Sequence, residues 1–245
     1  MYSQVHFLYS EQVDDTYKIA VWLPPDYETL DATLPSIYVL DEPEFFGFAS
    51  AVALNYWLRE QPQPMMIVSI GKELDTLDNW WSIRWRDYCP TVYHKESLSG
   101  GANHFLEFFR DDLIPFIETQ YPVDTAQRTL WGHSLGGLFA IYSLMEHPAL
   151  FRYVIATSPA FVANGTELFP YHLGLTSSAT NTPQSLFLSV GDAEPDFKPS
   201  VDVFADVVQQ QAHPNLSVNY HILNGMTHMP AALTGFLRGM QTLYS

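Results

Sequence analysis

Cysteine is almost absent from this chain. Only one of the 245 residues, Cys89, is a cysteine. A disulfide within the chain is therefore excluded, and so is a zinc site built from several cysteines. We expect Cys89 to be a small buried side chain. The sequence predicts no metal ion and no other cofactor.

Basic residues are also scarce. Lysine and arginine together number 11 against 27 aspartates and glutamates, which gives a formal net charge of −16. A surface of this charge repels the phosphate backbone of nucleic acids, so nucleic acid is not an expected partner.

Long hydrophobic runs are missing as well. No segment approaches the roughly 18 apolar residues of a membrane-spanning helix, so a membrane partner is not expected. Residues 1–6 lack a basic region followed by a long apolar stretch, which predicts no secretory signal and a cytoplasmic location. None of these features predicts an oligomeric state.

What the chain has is the composition of a globular protein. Hydrophobic residues make up 47% of the sequence, which argues against disorder. The length suits one large α/β domain with a well-buried core. We find no repeat, low-complexity tract or linker, so residues 1–245 are predicted to form a single domain.

The order of predicted elements indicates the fold class. Alternating residues over 5–9 and 16–23 predict an antiparallel hairpin at the edge of a sheet. After residue 35, apolar runs alternate with helical patterns, which predicts a mostly parallel sheet with helices on both faces. The predicted strands are 35–40, 65–70, 128–131, 153–157, 184–191 and 218–223, and the predicted helices are 45–59, 103–120, 200–212 and 229–243.

Two long segments show no clear period. Residues 73–99 are rich in Trp, Asp and Arg and are predicted to be a long active-site loop. Residues 160–183 are predicted to be a second loop or a small insertion.

The stretch Trp131-Gly132-His133-Ser134-Leu135-Gly136-Gly137 is the most informative part of the chain. An apolar run precedes it and an apolar helical pattern follows it. A Gly-x-Ser-x-Gly sequence at a strand-to-helix turn is typical of the nucleophile elbow of α/β-hydrolases. Glycines are needed because flanking Cβ atoms would collide in so tight a turn. The pattern predicts Ser134 as a nucleophile and the Leu135 N–H as an oxyanion donor.

A serine nucleophile needs a base, and in this fold an acid and then a histidine follow the serine along the chain. His228 comes shortly after the last predicted strand and is the candidate base. Three carboxylates, Asp192, Glu194 and Asp196, follow the strand at 184–191. Asp192 directly abuts the strand end, so spacing alone favours Glu194 or Asp196 as the acid.

The second oxyanion donor should come from the loop after the strand at 35–40. Asp41 and Glu42 can each donate a backbone N–H there, whereas Pro43 has none.

The arginines of the predicted active-site loop admit two interpretations. Arg84 and Arg86 either clamp an anionic group of a substrate or form ion pairs with a carboxylate such as Asp87. Trp81 and its neighbouring tryptophans either line an aromatic substrate wall or pack the segment against the protein.

Four stretches resemble the Putative esterase (esterase D-type) family of α/β-hydrolases. They are Tyr38-Val39-Leu40-Asp41, Arg86-Asp87-Tyr88-Cys89-Pro90-Thr91, the run from Phe105 through Pro115 to Tyr121, and Gly132-His133-Ser134-Leu135-Gly136-Gly137-Leu138. The resemblance extends over residues 15–245 and is closest to the siderophore-esterase (enterochelin-type) branch.

This resemblance implies roles for particular residues. Ser134 resembles the family nucleophile, His228 the family base, and Glu194 the acid of the siderophore-esterase branch. Members of that branch often bind anionic aromatic esters, which would give the two arginines and the tryptophans a role. The chain departs from the family at Leu40-Asp41-Glu42, where Leu-Asp-Gly is common, and this departure falls at the second oxyanion donor.

The sequence therefore predicts a cofactor-free carboxylic ester hydrolase that acts on a small-molecule ester, with an aromatic or siderophore-type ester as the suggested class. Two alternatives stay open. The same residues are suited to acyl transfer or thioester hydrolysis, and a non-catalytic binding protein can retain the same fold.

Overall fold

The computed structural model describes residues 3–25, 27–30, 32–59, 63–73, 77–175, 182–211 and 213–244. Strands and helices alternate along most of these residues. The strands are β1 (Ser3–Ser10), β2 (Asp15–Trp22), β3 (Leu34–Val39), β4 (Met66–Gly71), β5 (Val123–His133), β6 (Tyr153–Thr157), β7 (Val162–Ala163), β8 (Thr166–Glu167), β9 (Gln184–Gly191) and β10 (Leu216–Leu223). The α-helices are α1 (Glu42–Leu58), α2 (Leu77–Tyr88), α3 (Ala102–Phe108), α4 (Ile114–Gln120), α5 (Leu135–Glu146), α6 (Lys198–Gln210) and α7 (His228–Leu243).

One large sheet organises the molecule, with strand order β1-β2-β4-β3-β5-β6-β9-β10. Strand β2 pairs antiparallel with both β1 and β4, and every pairing from β4 onward is parallel. The predicted N-terminal hairpin and mostly parallel sheet are both confirmed. All six residues of β3 are buried, as expected for a parallel strand covered on both faces.

Aromatic side chains pack both faces of the sheet near its centre. On the face covered by α1 and α7, Trp131 lies between Phe45 and Phe236, with ring centroids 4.9 and 4.1 Å away. On the opposite face, Phe109 and Phe139 belong to the larger core cluster. Because Trp131 directly precedes the turn at the end of β5, this packing holds the turn in a fixed place.

The structure corrects the prediction that residues 73–99 form a loop, because Leu77–Tyr88 is helix α2. Its buried side chains include the charged residues Arg84 and Asp87, which are 3% and 1% exposed. Both are buried in ion pairs. Charged residues on the inward side of a helix remove the apolar periodicity that would have predicted it.

The predicted helix over residues 103–120 is interrupted. A π-helical turn at Phe109–Leu113 separates α3 from α4, and Pro115 lies in the first turn of α4, where proline is tolerated. The segment 160–183 contains the short hairpin β7–β8 and a 3-10 turn at Tyr171–Leu173, with residues 176–181 outside the described part.

Two further expectations bear on these elements. Cys89 is buried, as predicted. None of the helices within the described ranges has the length and apolar character needed to cross a membrane. That residues 1–245 form one domain stays a prediction.

Candidate active site

Ser134 occupies a strained turn between β5 and α5. Its backbone angles are φ 59° and ψ −119°, which non-glycine residues rarely adopt. The carbonyl of Thr157 at the end of β6 accepts a hydrogen bond from Ser134 N–H at 3.0 Å. A Cβ on Gly132 would overlap the carbonyl oxygen of Gly136. The turn therefore requires glycine beside the serine, and Ser134 is partly exposed while both its neighbours are buried.

Glu194 and His228 are hydrogen-bonded to each other at this edge of the sheet. His228 Nδ1 lies 2.5 Å from Glu194 Oε1. The second carboxylate oxygen accepts hydrogen bonds from Gly191 N–H at 2.5 Å and from the Ser158 hydroxyl at 2.7 Å. Glu194 is 3% exposed. Since an ionised carboxylate only accepts hydrogen bonds, these donors hold it in one orientation.

Neither of the other two candidate acids forms a hydrogen bond with His228 within the described residues. Asp192 is exposed and accepts a hydrogen bond from Gly225 N–H at 2.7 Å. Asp196 is also exposed. Over the described ranges, Glu194 is the carboxylate of the three that the structure brings to the histidine.

Two rings flank His228. Phe197 stacks on it with a centroid distance of 4.1 Å and an interplanar angle of 20°. The ring of His133, next to Ser134 in the chain, lies 4.2 Å away at 44°. No hydrogen bond joins the Ser134 hydroxyl to His228 among the described residues. His133 contacts His228 and directly precedes Ser134 in the chain, which places the histidine near the serine.

His133 is a buried contact of the site to which sequence reasoning gave no role. It is 2% exposed, and its Nδ1 lies 3.1 Å from the carbonyl oxygen of Thr157. A carbonyl only accepts, so Nδ1 carries the proton. Burial lowers the pKa of His133 well below its usual value, and the charge of His228 lowers this pKa further. The ring is therefore neutral, and no local sequence signal indicated this contact.

In the loop after β3, one of the expected oxyanion donors is already hydrogen-bonded within the protein. Asp41 has φ 60° and ψ 58°, and its N–H donates a hydrogen bond to the Tyr88 hydroxyl at 3.3 Å. Glu42 and Leu135 are the first residues of α1 and α5. Their N–H groups have no hydrogen-bond partner within the part of the chain that the structure describes. Of the three expected donors, Asp41 is thus already engaged.

Glu42, which stands where the family commonly has glycine, is accommodated by two distant residues. Its Oε1 lies 3.1 Å from Lys18 Nζ. Its side chain packs against Gly71, where an added Cβ would come within 2.6 Å of Glu42 Cβ. The absence of a side chain at Gly71 makes room for the larger residue. Because Lys18 and Gly71 lie on β2 and β4, far from Glu42 in the sequence, the residues around Glu42 did not indicate this arrangement.

Arg84 does not present a free guanidinium. Its Nε and Nη2 donate to the two carboxylate oxygens of Asp41 at 2.8 and 3.1 Å. Nη2 also lies 3.3 Å from the carbonyl oxygen of His133. Of the two interpretations open from the sequence, the ion pair describes Arg84, with Asp41 rather than Asp87 as its partner.

Arg86 is paired as well. It donates to Asp87 Oδ1 at 2.6 Å and to Asp15 Oδ2 at 2.8 Å, and its side chain is 23% exposed. Asp87 is the neighbour that the ion-pair interpretation named. Neither arginine has the open guanidinium that a clamp for a substrate anion requires.

The tryptophans of α2 divide between the two interpretations. Trp85 stacks on Tyr93 at 5.0 Å and packs the helix against the protein. Trp81 is 50% exposed, and its ring lies 5.2 Å from the guanidinium of Arg84. Its half-exposed ring is available for a ligand contact.

The strand order, the turn at Ser134 and the histidine–carboxylate pair beyond later strands define an α/β-hydrolase. The chain belongs to the family described as "Putative esterase", which matches residues 10–231.

Named relatives support the same class. The ferri-bacillibactin esterase BesA of Bacillus subtilis (strain 168) is 31% identical over 213 residues, which cover 80% of this chain and 72% of that protein. The siderophore triacetylfusarinine C esterase of Aspergillus fumigatus is 32% identical over 142 residues, covering 55% of this chain and 47% of the relative. The protein is therefore a carboxylic ester hydrolase.

A solved structure shares the fold. The crystal structure of the BES protein from Bacillus cereus superposes with a TM-score of 0.84 at 24% identity, and the match covers 98% of this chain and 93% of that one.

Proposed function

We propose that Ser134 is the nucleophile of this esterase, His228 its general base and acid, and Glu194 the carboxylate that orients His228. The observation that carries this proposal is the 2.5 Å contact between Glu194 and His228 beside a strained turn that exposes Ser134. In such a triad the carboxylate fixes the imidazole tautomer and stabilises the imidazolium that forms during the reaction.

The reaction proceeds in two halves. His228 takes the proton of the Ser134 hydroxyl while its oxygen attacks the ester carbonyl, and His228 then returns the proton to the leaving alcohol. Water, activated by the same imidazole, hydrolyses the acyl-enzyme. The missing hydrogen bond between Ser134 and His228 agrees with the long contacts that catalytic groups often show without substrate.

The N–H groups of Leu135 and Glu42 are the proposed oxyanion donors. Each belongs to the first residue of a helix, where backbone donors are unsatisfied and the helix dipole favours negative charge. The Asp41 N–H is the weaker candidate because Tyr88 accepts its hydrogen bond. Loss of one such donor typically lowers kcat by about 10²–10³-fold.

The proposed substrate is an ester of the siderophore type. Two relatives are named as esterases of ferri-bacillibactin and of triacetylfusarinine C. In this chain, Trp81 supplies a half-exposed aromatic surface suited to a flat aromatic group. Arg84 is not part of the proposed substrate surface because its charge is already paired.

Steady-state hydrolysis of p-nitrophenyl acetate and of ferri-bacillibactin by the wild type and by Ser134→Ala tests this proposal. The variant should lose activity on both esters, because the other triad members cannot supply a nucleophile. The matched control is Ser217→Ala, an exposed serine on β10, which should behave as the wild type. Activity in Ser134→Ala would refute the mechanism.

Two results would revise only the substrate or the second half-reaction. Hydrolysis of p-nitrophenyl acetate without any cleavage of ferri-bacillibactin would overturn the substrate class. Transfer of the acyl group to an added alcohol in preference to water would identify an acyltransferase.

A further inference from the structure

Arg84 is a buried cation that the proposed reaction does not use. It is 3% exposed, and arginine is rarely buried to this extent unless its charge is paired. Its guanidinium packs against the rings of Trp80, Trp81 and Tyr88 at 4.8, 5.2 and 5.8 Å. Burial opposes the charge, but Asp41 outweighs this effect and the pKa of Arg84 is raised. The side chain is therefore a permanent charge enclosed by protein.

The guanidinium contacts the two chain segments that carry the proposed oxyanion donors. It holds both carboxylate oxygens of Asp41, the residue before Glu42. It also contacts the carbonyl oxygen of His133 at 3.3 Å, two residues before Leu135. One rigid planar group thus links the loop after β3 to the turn after β5.

The loop that Arg84 holds is strained. Asp41 has a left-handed backbone at φ 60°, which is unfavourable for a residue with a Cβ. Helix α2 holds it at two points, since the Tyr88 hydroxyl accepts the Asp41 N–H and Arg84 binds the carboxylate. The Asp41 carboxylate also packs 3.4 Å from the place where a Cβ of Gly136 would lie, beside the start of α5.

We propose that Arg84 is a positioning residue that sets the separation of the Glu42 and Leu135 N–H groups through Asp41 and the His133 carbonyl. This inference rests on the proposed function above. Oxyanion donors act only when they lie about 2.7–3.1 Å from the developing oxyanion. Because Arg84 contacts both segments that carry the donors, it fixes the two N–H groups relative to each other. It does this without itself touching substrate.

The split between kcat and KM distinguishes this role from a substrate clamp. In Arg84→Gln, kcat should fall at least about tenfold on a neutral ester and on an anionic ester alike, since both share the same oxyanion. KM should change little for either ester. A clamp predicts the reverse, namely a raised KM that is confined to the anionic ester. That result would overturn the inference.

Arg128→Gln is the matched control. Arg128 also binds one carboxylate, Glu118, at 2.8 Å and one backbone carbonyl, that of Leu150, at 2.9 Å. It lies in β5 but before the turn, away from the proposed oxyanion donors. This variant should lose stability while its kcat stays at the wild-type value. An equal fall of kcat in both variants would assign the loss in Arg84→Gln to general destabilisation and overturn the inference.

Arg84→Lys covers the case in which the glutamine variant fails to fold. Lysine keeps the charge but loses the planar fork that binds both oxygens of Asp41, so kcat should still fall at least about fivefold. Full activity in Arg84→Lys would contradict a positioning role that depends on this fork.

The rate of Ser134 labelling by a fluorophosphonate separates this inference from the proposed function. If the wild type neither hydrolyses esters nor reacts at Ser134, the proposed function fails. If the wild type reacts and the Arg84 variants match its kcat and labelling rate, only the role of Arg84 is lost.

Discussion

Two buried carboxylates at the same edge of the sheet have very different partners. Glu194 and Asp41 are 3% and 2% exposed. Glu194 accepts hydrogen bonds from a backbone N–H, a hydroxyl and the imidazole of His228, whereas Asp41 is bound to a guanidinium. A general base such as an imidazole takes up and releases a proton during catalysis, whereas a guanidinium stays charged. In the proposed mechanism Glu194 therefore stabilises a positive charge that forms on His228 during the reaction. Asp41 only fixes the position of Arg84 and of its own loop.

Among the variants that test this difference, the largest fall in kcat is expected for Glu194→Gln. A neutral amide cannot stabilise the imidazolium of His228 and favours the wrong ring tautomer. We expect kcat to fall by about 10³–10⁴-fold, measured with a p-nitrophenyl ester at saturating substrate. The exposed neighbour Asp196→Asn is the control and should keep wild-type activity. A larger loss in the control would transfer the role of the acid to Asp196.

Asp41→Asn should give a smaller loss of activity and a larger loss of stability. The substitution leaves the Arg84 charge without a counter-charge in a buried site. We expect the free energy of unfolding to fall by about 3 kcal/mol and kcat by about tenfold to a hundredfold. Urea unfolding and ester hydrolysis measure the two effects. If Asp41→Asn impaired kcat as severely as Glu194→Gln, the distinction between the two carboxylates would be wrong.

Ser158→Ala tests how much the Glu194 carboxylate depends on its hydrogen bond from a side chain. Ser158 donates one of the hydrogen bonds to the carboxylate, and a hydrogen bond to a charged group contributes about 1.5–3 kcal/mol. We expect kcat to fall by up to about tenfold, because Gly191 N–H still holds the same oxygen. The control is Ser143→Ala, a buried serine whose hydroxyl donates to the carbonyl of Ala140 in its own helix. Equal kcat values in the two variants would show that the Ser158 hydrogen bond does not support the role of Glu194.

The smallest effect concerns His133 and is seen in stability against pH. Burial lowers the pKa of His133 in the folded protein, so the unfolded chain binds this proton first as the pH falls. The stability contributed by neutral His133 is present above about pH 6.5 and is lost below it, by up to about 1.4 kcal/mol per pH unit.

His133→Gln carries no such proton, so its urea midpoint should fall less between pH 7.5 and pH 5 than that of the wild type. Parallel pH profiles for the two proteins would contradict a buried neutral His133.

Local patterns in the sequence predicted much of this structure. The strands at 153–157 and 184–191 have the predicted bounds, because short apolar runs mark buried parallel strands. The order of Ser134, a later acid and His228 followed from the way the fold places loops at one sheet edge. Spacing alone left Glu194 and Asp196 open as the acid, and the family resemblance favoured Glu194. What each of these groups does in catalysis stays a proposal.

The contacts that were missed join residues far apart in the chain. Arg84 pairs with Asp41 rather than with its near neighbour Asp87. This pairing allows a charged side chain to be buried on α2, a segment that was predicted to be a loop because it lacks apolar periodicity. Glu42 depends on Lys18 and on the space at Gly71. Such pairs depend on how distant helices, loops and strands pack together, and the residues near each partner in the sequence do not indicate that packing.

The most direct test of the triad is the mapping and rate of fluorophosphonate labelling. Mass spectrometry of digested wild-type protein should locate a single phosphonyl adduct on Ser134. The adduct should be absent in Ser134→Ala and should form much more slowly in Glu194→Gln and His228→Ala, since both variants impair deprotonation of the serine. An adduct on another residue, or labelling of Ser134 at the wild-type rate in both Glu194→Gln and His228→Ala, would contradict the proposed catalytic site.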